Sequence, residues 1–264
     1  MIITNKYGIP RGIAEILATD FYDHEGAAGT LSATTLLKPV QISVLEKRYG
    51  EKIEVDVIDR IWSLYGQGLH AVLEQYAKDR VASGDESYKD SLVEERLFAK
   101  VLGETVSGKF DLILNGTKLH DNKMVKAWAV AFGGRIEEWA KQLSIYRWLL
   151  WMNKKTEVDD DGTIRMFIRD WDENDAAKYK HRNYPQSPVG EIDIELMSVE
   201  AAGKMVAKLV KQFKEASALK DGELPECSAE DRWFNDKKGN IRCDKYCLAK
   251  QFCQQYKKLN KESK

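Results

Sequence analysis

No apolar run in this chain of 264 residues approaches the ~18 residues of a membrane span, so no transmembrane helix is expected. The opening MIITNKYGIPRG lacks the basic-then-apolar pattern of a secretory leader. A cytosolic location is therefore expected, in a bacterium or for a phage protein inside one. An excess of one charge is also missing: 41 Lys and Arg stand against 42 Asp and Glu, a net charge of −1. Net charge thus does not draw the chain to nucleic acid, and such contact would need a local basic track. Internal repeats and low-complexity segments are absent. Cysteine is missing from the first 226 residues, and all four cysteines fall in the last 40. In a reducing compartment that clustering favours a metal site over disulfides. What is present is a 43% hydrophobic fraction, enough for a core, in a length that suits one decorated domain or two small ones.

Apolar periodicity predicts helices at 32–38, 40–50, 59–82, 136–152 and 199–218. In the helix over 59–82, Ile61, Leu64, Tyr65, Leu69, Val72, Leu73 and Tyr76 form the expected buried stripe. Pro10 opens a short helix through Ala18, and His24 falls in a loop. Alternation predicts strands at 91–102, 163–171 and 191–198, with a polar loop at 83–90 and a charged turn at 153–162. The acidic run Asp159–Asp161 lacks the spaced ligands of a calcium loop and reads as a solvated turn. Residues 124–135 read as a loop that carries Lys126 and Trp128. Residues 172–190 read as a long basic and aromatic loop, with Lys178, Lys180, His181, Arg182 and Tyr184. Both suit nucleic-acid contact.

The stretch 105–124, TVSGKFDLILNGTKLHDNKM, reads as a hairpin about Asn115-Gly116. Asp121 and Lys123 are two apart and share a strand face. Asp111 joins that face only if facing residue numbers sum to an even value, which a two-residue loop forbids. A three-residue loop or a bulge is therefore expected, with Gly116 at positive φ. Two carboxylates beside one ammonium can hold Mg²⁺ or Mn²⁺, lower the pKa of a bound water and offset charge on a phosphate under attack. Phosphodiester hydrolysis is the chemistry implied.

The order Gly66-x-x-x-His70, Gly108-x-x-Asp111, Asp121-x-Lys123 and Gln142-x-x-x-Tyr146 resembles the RecB-like branch of the PD-(D/E)XK nuclease superfamily. The lines LHDNKMVKAWAV and EEWAKQLSIYRWLL look especially like its phage-encoded members, and the resemblance runs from about Leu31 onward. It implies an α/β fold, a central mixed sheet with helices on both faces. It also implies that His70, Asp111, Asp121 and the Asn122 carbonyl hold Mg²⁺ or Mn²⁺, with Lys123 acting on water or transition state. Gln142 and Tyr146 would line the cleft. From position alone, Glu74, one turn beyond His70, reads either as orienting that imidazole or as solvated, and Glu94 and Glu95 read as a charged strand end in preference to a part of the site. The helical segment over 32–49 would help cover the cleft.

Cys227, Cys243, Cys247 and Cys253 are spaced C-x15-C-x3-C-x5-C, which suits a [4Fe–4S] cluster or a tetrahedral Zn²⁺. Iron–sulfur RecB-like nucleases place one cysteine ahead of the nuclease motifs and three after; here all four come after. Trp233, Phe234, Tyr246 and Phe252 are expected to pack around the site. The domain reading is a nuclease part at 1–220 and a metal-bound extension at 221–264. The expected activity is a metal-dependent deoxyribonuclease, an exonuclease in preference to an endonuclease, in recombination, replication or repair. Its partners would be single-stranded or duplex DNA ends and other recombination or replication proteins. A catalytically silent DNA-binding module with the same fold is the alternative.

Overall fold

The computed structural model describes residues 1–21 and 29–262, so His24 lies outside the described residues. In chain order the elements are β1 (Ile2–Thr4), α1 (Arg11–Ala18), β2 (Leu31–Ser32), α2 (Ala33–Leu36), α3 (Val40–Tyr49), β3 (Glu54–Asp56) and α4 (Ile61–Ala82). Then come β4 (Leu92–Val93), β5 (Arg96–Val101), β6 (Glu104–Lys109), β7 (Leu112–Leu114), β8 (Lys118–Val125), α5 (Ala127–Ala131), α6 (Ile136–Lys154) and β9 (Asp161–Ile168). The chain closes with α7 (Glu173–Lys178), β10 (Val189–Glu195), α8 (Val199–Ser217), β11 (Phe234–Asn235), β12 (Gly239–Asn240), α9 (Ile241–Lys245) and α10 (Gln254–Glu262). The fold is mixed α/β, with mixed sheets flanked by helices, and no helix among the described residues is long and apolar enough to cross a membrane.

The chain forms two compact units. One comprises Met1–Asp23, Thr34–Leu64 and Ala207–Lys264. In it, β1 pairs in parallel with β3, and Asp56 accepts hydrogen bonds from the Thr4 hydroxyl (2.8 Å) and the Lys6 amide (2.7 Å). Helix α3 begins after Pro39, whose fixed φ suits a helix entry, and buries Gln41, Ile42, Ser43, Val44 and Leu45. Tyr49 at its end stacks on Phe252, ring centroids 4.2 Å apart, and gives its hydroxyl proton to Asp221.

The other unit comprises His24–Ala33 and Tyr65–Val206. Its larger sheet has the order β10-β9-β8-β7-β4, and β2-β6-β5 forms a smaller one. Strands β8 and β9 run parallel and the other neighbours in the larger sheet antiparallel. Helix α6 buries Trp139, Leu143, Tyr146, Leu149 and Leu150, as its stripe predicted. Two glycines set how close it lies. A Cβ on Gly108 of β6 would stand 2.7 Å from Leu149 Cδ1, and one on Gly162 of β9 would stand 2.6 Å from Leu143 Cδ2.

Several local expectations change. The stripe of α4 is only half right: Leu64, Leu69 and Leu73 are partly buried, whereas Tyr65, Val72 and Tyr76 face water. Ala77 is its one fully buried residue, so polar residues such as His70 and Glu74 share its inner side with leucines. The segment expected as a loop after Lys123 contains α5, and the expected long loop at 172–190 contains α7. Phe234 and Tyr246 are exposed instead of packing around the cysteines.

Candidate active site

The site grows out of one interrupted hairpin. Strand β5 pairs with β6, and β4 pairs with β7, in a single continuous register. The ladder breaks at Glu94-Glu95 on one side and Phe110-Asp111 on the other. Glu94 takes φ +49°, a left-handed conformation unusual for a side chain other than glycine, and its N–H donates to the Asp111 carbonyl at 3.0 Å. The register thus sets Glu94 opposite Asp111. On the other flank, β7 and β8 are joined by Asn115, Gly116 and Thr117, with Leu114 facing Lys118. This is the three-residue loop that side-chain parity demanded, with Gly116 at φ +75° and Asn115 also left-handed at +53°. Continued one step, the same register carries Asp111 opposite Asp121. Three carboxylates therefore stand at one level across three adjacent strands.

Helix α4 brings an imidazole to this row. His70 Nδ1 lies 3.5 Å from Asp111 Oδ2 and 3.9 Å from Glu94 Oε1. One ligand atom from each of the three lies within 4.8 Å of the others. The carboxylates of Asp111 and then Glu94 push the His70 pKa up to about 10. Burial alone would raise Asp111, but His70, the Asn122 N–H and Lys123 together outweigh it and hold Asp111 below the usual carboxylate range. The pair of acids thus stabilises a positive charge between them, carried here by a proton.

Asn122 fixes Asp111 from two directions. Its backbone N–H donates to Asp111 Oδ2 at 2.7 Å and its side-chain amide at 3.1 Å. The Asn122 Oδ1 is buried with no hydrogen-bond partner among the described residues, an uncommon state for a buried carbonyl. Asn122 lines a cavity of about 100 Å³ together with Glu74, Glu94, Asp111 and Arg165. A His, two carboxylates and an unsatisfied amide oxygen match the hard and borderline donors that Mg²⁺ and Mn²⁺ accept.

Asp121 and Lys123 share the opposite face of β8 from Asn122. Lys123 Nζ lies 2.7 Å from Asp121 Oδ2 and donates to Gln142 Oε1 at 3.0 Å; Gln142 Nε2 donates in turn to the Tyr146 hydroxyl at 2.7 Å. Gln142 and Tyr146 are both buried, one helical turn apart on α6. Burial pushes the Asp121 pKa up to about 6, against the pull of Lys123.

The structure thus brings His70, Asp111, Asn122, Asp121, Lys123, Gln142 and Tyr146 into one neighbourhood, although Asp121 is not part of the tightest group. Glu94 takes that place, where sequence reasoning saw a charged strand end. Its signal is the left-handed break between β4 and β5, which the residues EE do not announce. Lys109 lies 2.7 Å from Glu94 Oε2 and was likewise missed. Glu95 turns elsewhere and pairs with Lys154 at 2.9 Å. Glu74 does not orient His70; it pairs with Lys78 at 2.5 Å.

The four cysteines are reduced, and Cys227, Cys247 and Cys253 are buried. Cys227 and Cys253 point at one acceptor, Gln41 Oε1, at 3.4 and 3.5 Å. Burial pushes the Cys227 thiol up to about 12 and Cys243 to about 11. Among the described residues the sulfurs do not close into a group as tight as the one around His70.

No protein-family model and no curated protein sequence matches the chain. Among solved structures, SSO0001 shares the fold at TM-score 0.53 and 16% identity, with 92% of each chain covered. Two exonuclease structures overlap more loosely. A candidate exonuclease from Eubacterium rectale gives TM-score 0.45 at 12% identity, over 79% of this chain and 87% of that one. An alkaline exonuclease from Laribacter hongkongensis gives 0.36 at 12% identity, over 74% and 92%.

Proposed function

We propose that this protein is a metal-dependent deoxyribonuclease of the RecB-like PD-(D/E)XK type, acting from DNA ends. The observation that carries this reading is the row Glu94, Asp111 and Asp121, with His70 at one end and Lys123 at the other. His70, Glu94 and Asp111 are the residues that would hold Mg²⁺ or Mn²⁺, with Asp121 beside them. When bound, such an ion supplies an acidified water and charge neutralisation at the phosphate. Asn122 keeps Asp111 aimed. Gln142 holds the Lys123 ammonium in place, where it meets charge developing on phosphate oxygens. Tyr146 supports Gln142 from below.

A silent DNA-binding module has less to support it. Burying Asp121 while keeping it against an ammonium costs stability that a pure scaffold would not need. The test is cleavage of end-labelled linear DNA with Mg²⁺, Mn²⁺ or EDTA. Cleavage is expected with either metal and should fall roughly 10²- to 10³-fold in Lys123→Ala. No metal-dependent cleavage, or an unaffected Lys123→Ala, would overturn the enzyme reading.

The cysteine tail belongs to the same proposal. Cys227, Cys243 and Cys247, their pKa values raised by burial, lack the positive charge that would make them thiolates, and a bound metal would supply it. The sequence spacing of the four cysteines, C-x15-C-x3-C-x5-C, suits a [4Fe–4S] cluster or a tetrahedral Zn²⁺. Visible absorption and metal analysis of freshly prepared protein separate the two; a colourless, metal-free protein would reject both.

A further inference from the structure

We infer that Phe132 is a stacking platform for an unpaired nucleobase, so that the substrate is single-stranded or frayed at the end it presents. This rests on the nuclease reading of the neighbouring site but is carried by different residues. Strand β8 carries Lys123 and ends at Val125, Lys126 caps the start of α5, and Phe132 follows at the end of that helix. Phe132 is 71% exposed, among the most exposed large apolar residues of those described. Gly133 and Gly134, at φ +83° and +55°, turn the chain away beyond it.

The ring is exposed but braced. Phe132 lies near-parallel to Trp128, centroids 5.6 Å apart and planes at 26°. Trp128 is held edge-on by Tyr179 and Tyr184, each at 5.2 Å, and has the Arg182 guanidinium 5.4 Å from its ring centre. Below it, Ala127, Ile168, Ala176 and Tyr184 form a small buried core. The Ala127 N–H is pinned to Asp170 at 2.7 Å, and Trp171 Nε1 donates to the Pro185 carbonyl at 2.9 Å. Trp128 and Tyr184, which the sequence offered for base contact, are thus committed to packing. The surface they leave for a ligand is the outer ring of the stack.

A planar ring backed by an aromatic stack, with the Arg182 guanidinium on the backing Trp128, is an arrangement with which proteins grip bases of any sequence. Lys126, exposed at the junction of β8 and α5, lies in the chain between Lys123 and this ring and offers a counter-charge to a backbone phosphate. A fully paired duplex buries its base faces in its own stack and offers none to Phe132 except at a terminus.

The test uses full-length protein carrying Asp121→Asn, in EDTA, so that binding is read without cleavage. Single-stranded and blunt duplex oligonucleotides bearing 2-aminopurine report stacking by fluorescence quenching. In that background Phe132→Ala should weaken single-strand binding about 5- to 150-fold and abolish the quenching, with little change on blunt duplex. Phe132→Trp should restore both, and Phe132→Leu, which still covers Trp128, should not. Equal binding by Phe132→Ala and its parent, full rescue by Phe132→Leu, or equal losses on both DNAs would overturn the inference. Failure of metal-dependent cleavage with these binding results intact would instead overturn only the enzyme reading.

Discussion

His120 offers a quantitative test of the sheet that carries the site. It sits on β8 beside Asp121, is 6% exposed, and neither ring nitrogen has a hydrogen-bond partner among the described residues. Burial, reinforced by Arg165, pushes its pKa down to about 4 from 6.5. The unfolded chain therefore binds the proton more tightly, so this ring's contribution to stability is intact above pH 6.5 and is lost as pH falls toward 4. For that shift the loss is about 2 kcal/mol at pH 5 and about 3 kcal/mol at pH 4. Two groups work the other way: Asp121, raised to about 6, gains stability as pH falls from 6 toward 4, and His70, raised to about 10, gains its stability as pH falls from 10 to 6.5 and keeps it below. The wild-type profile alone would hide the effect, so the measurement is a difference. Urea unfolding of wild type and His120→Leu, in EDTA at pH 7.5 and pH 5, should show the variant gaining about 2 kcal/mol relative to wild type on acidification. A gap between the two proteins that is the same at both pH values would refute the neutral, dry placement of this ring.

Three further outcomes are expected. Metal binding should release a proton, because His70 holds one below about pH 10 in the metal-free protein; calorimetry at pH 7.5 in buffers of different ionisation enthalpy should detect the release, and Mn²⁺ affinity should fall as pH is lowered from about 10, more steeply below about 6 where Asp121 also takes a proton. Gln142→Leu keeps the helix shape but frees the Lys123 ammonium, so cleavage should fall roughly 10- to 100-fold with metal affinity unchanged; equal losses in both would contradict the positioning role. Gly108→Ala would put a methyl 2.7 Å from Leu149 and 2.8 Å from Tyr146, and should destabilise the protein by about 1–3 kcal/mol in denaturant unfolding; an unchanged midpoint would show that α6 is not seated as described.

Much of this site was legible because its chemistry follows strand parity. Asp121 and Lys123 had to share a face, and the three-residue loop followed from requiring Asp111 to stand opposite Asp121. Helices α6 and α8 were legible from their 3.6-residue stripes, which remain buried. Glu94 was not, since its role depends on a left-handed backbone residue and a broken ladder, and neither has a signature in EE. The inner side of α4 was misjudged because a helix that supplies a histidine and a glutamate inward must turn some apolar residues outward, here Tyr65, Val72 and Tyr76. Trp128 and Lys126 drew attention as a pair, yet the packing beneath the tryptophan assigns the exposed ring to Phe132. For the cysteines, spacing alone could not foresee that Gln41, far upstream, would stand between two of them.

The small turn Asn115–Thr117 contributes no atom to chemistry, yet everything at the row of acids depends on its length. Removing one residue from it would slide β8 by a half-step of the pleat, turning His120 and Asn122 toward α6 and Asp121 and Lys123 away from it. Loop tips usually tolerate insertions and deletions; this one acts as the phase-setter of the strand, and single-residue length variants there should be silent in composition but ruinous for activity.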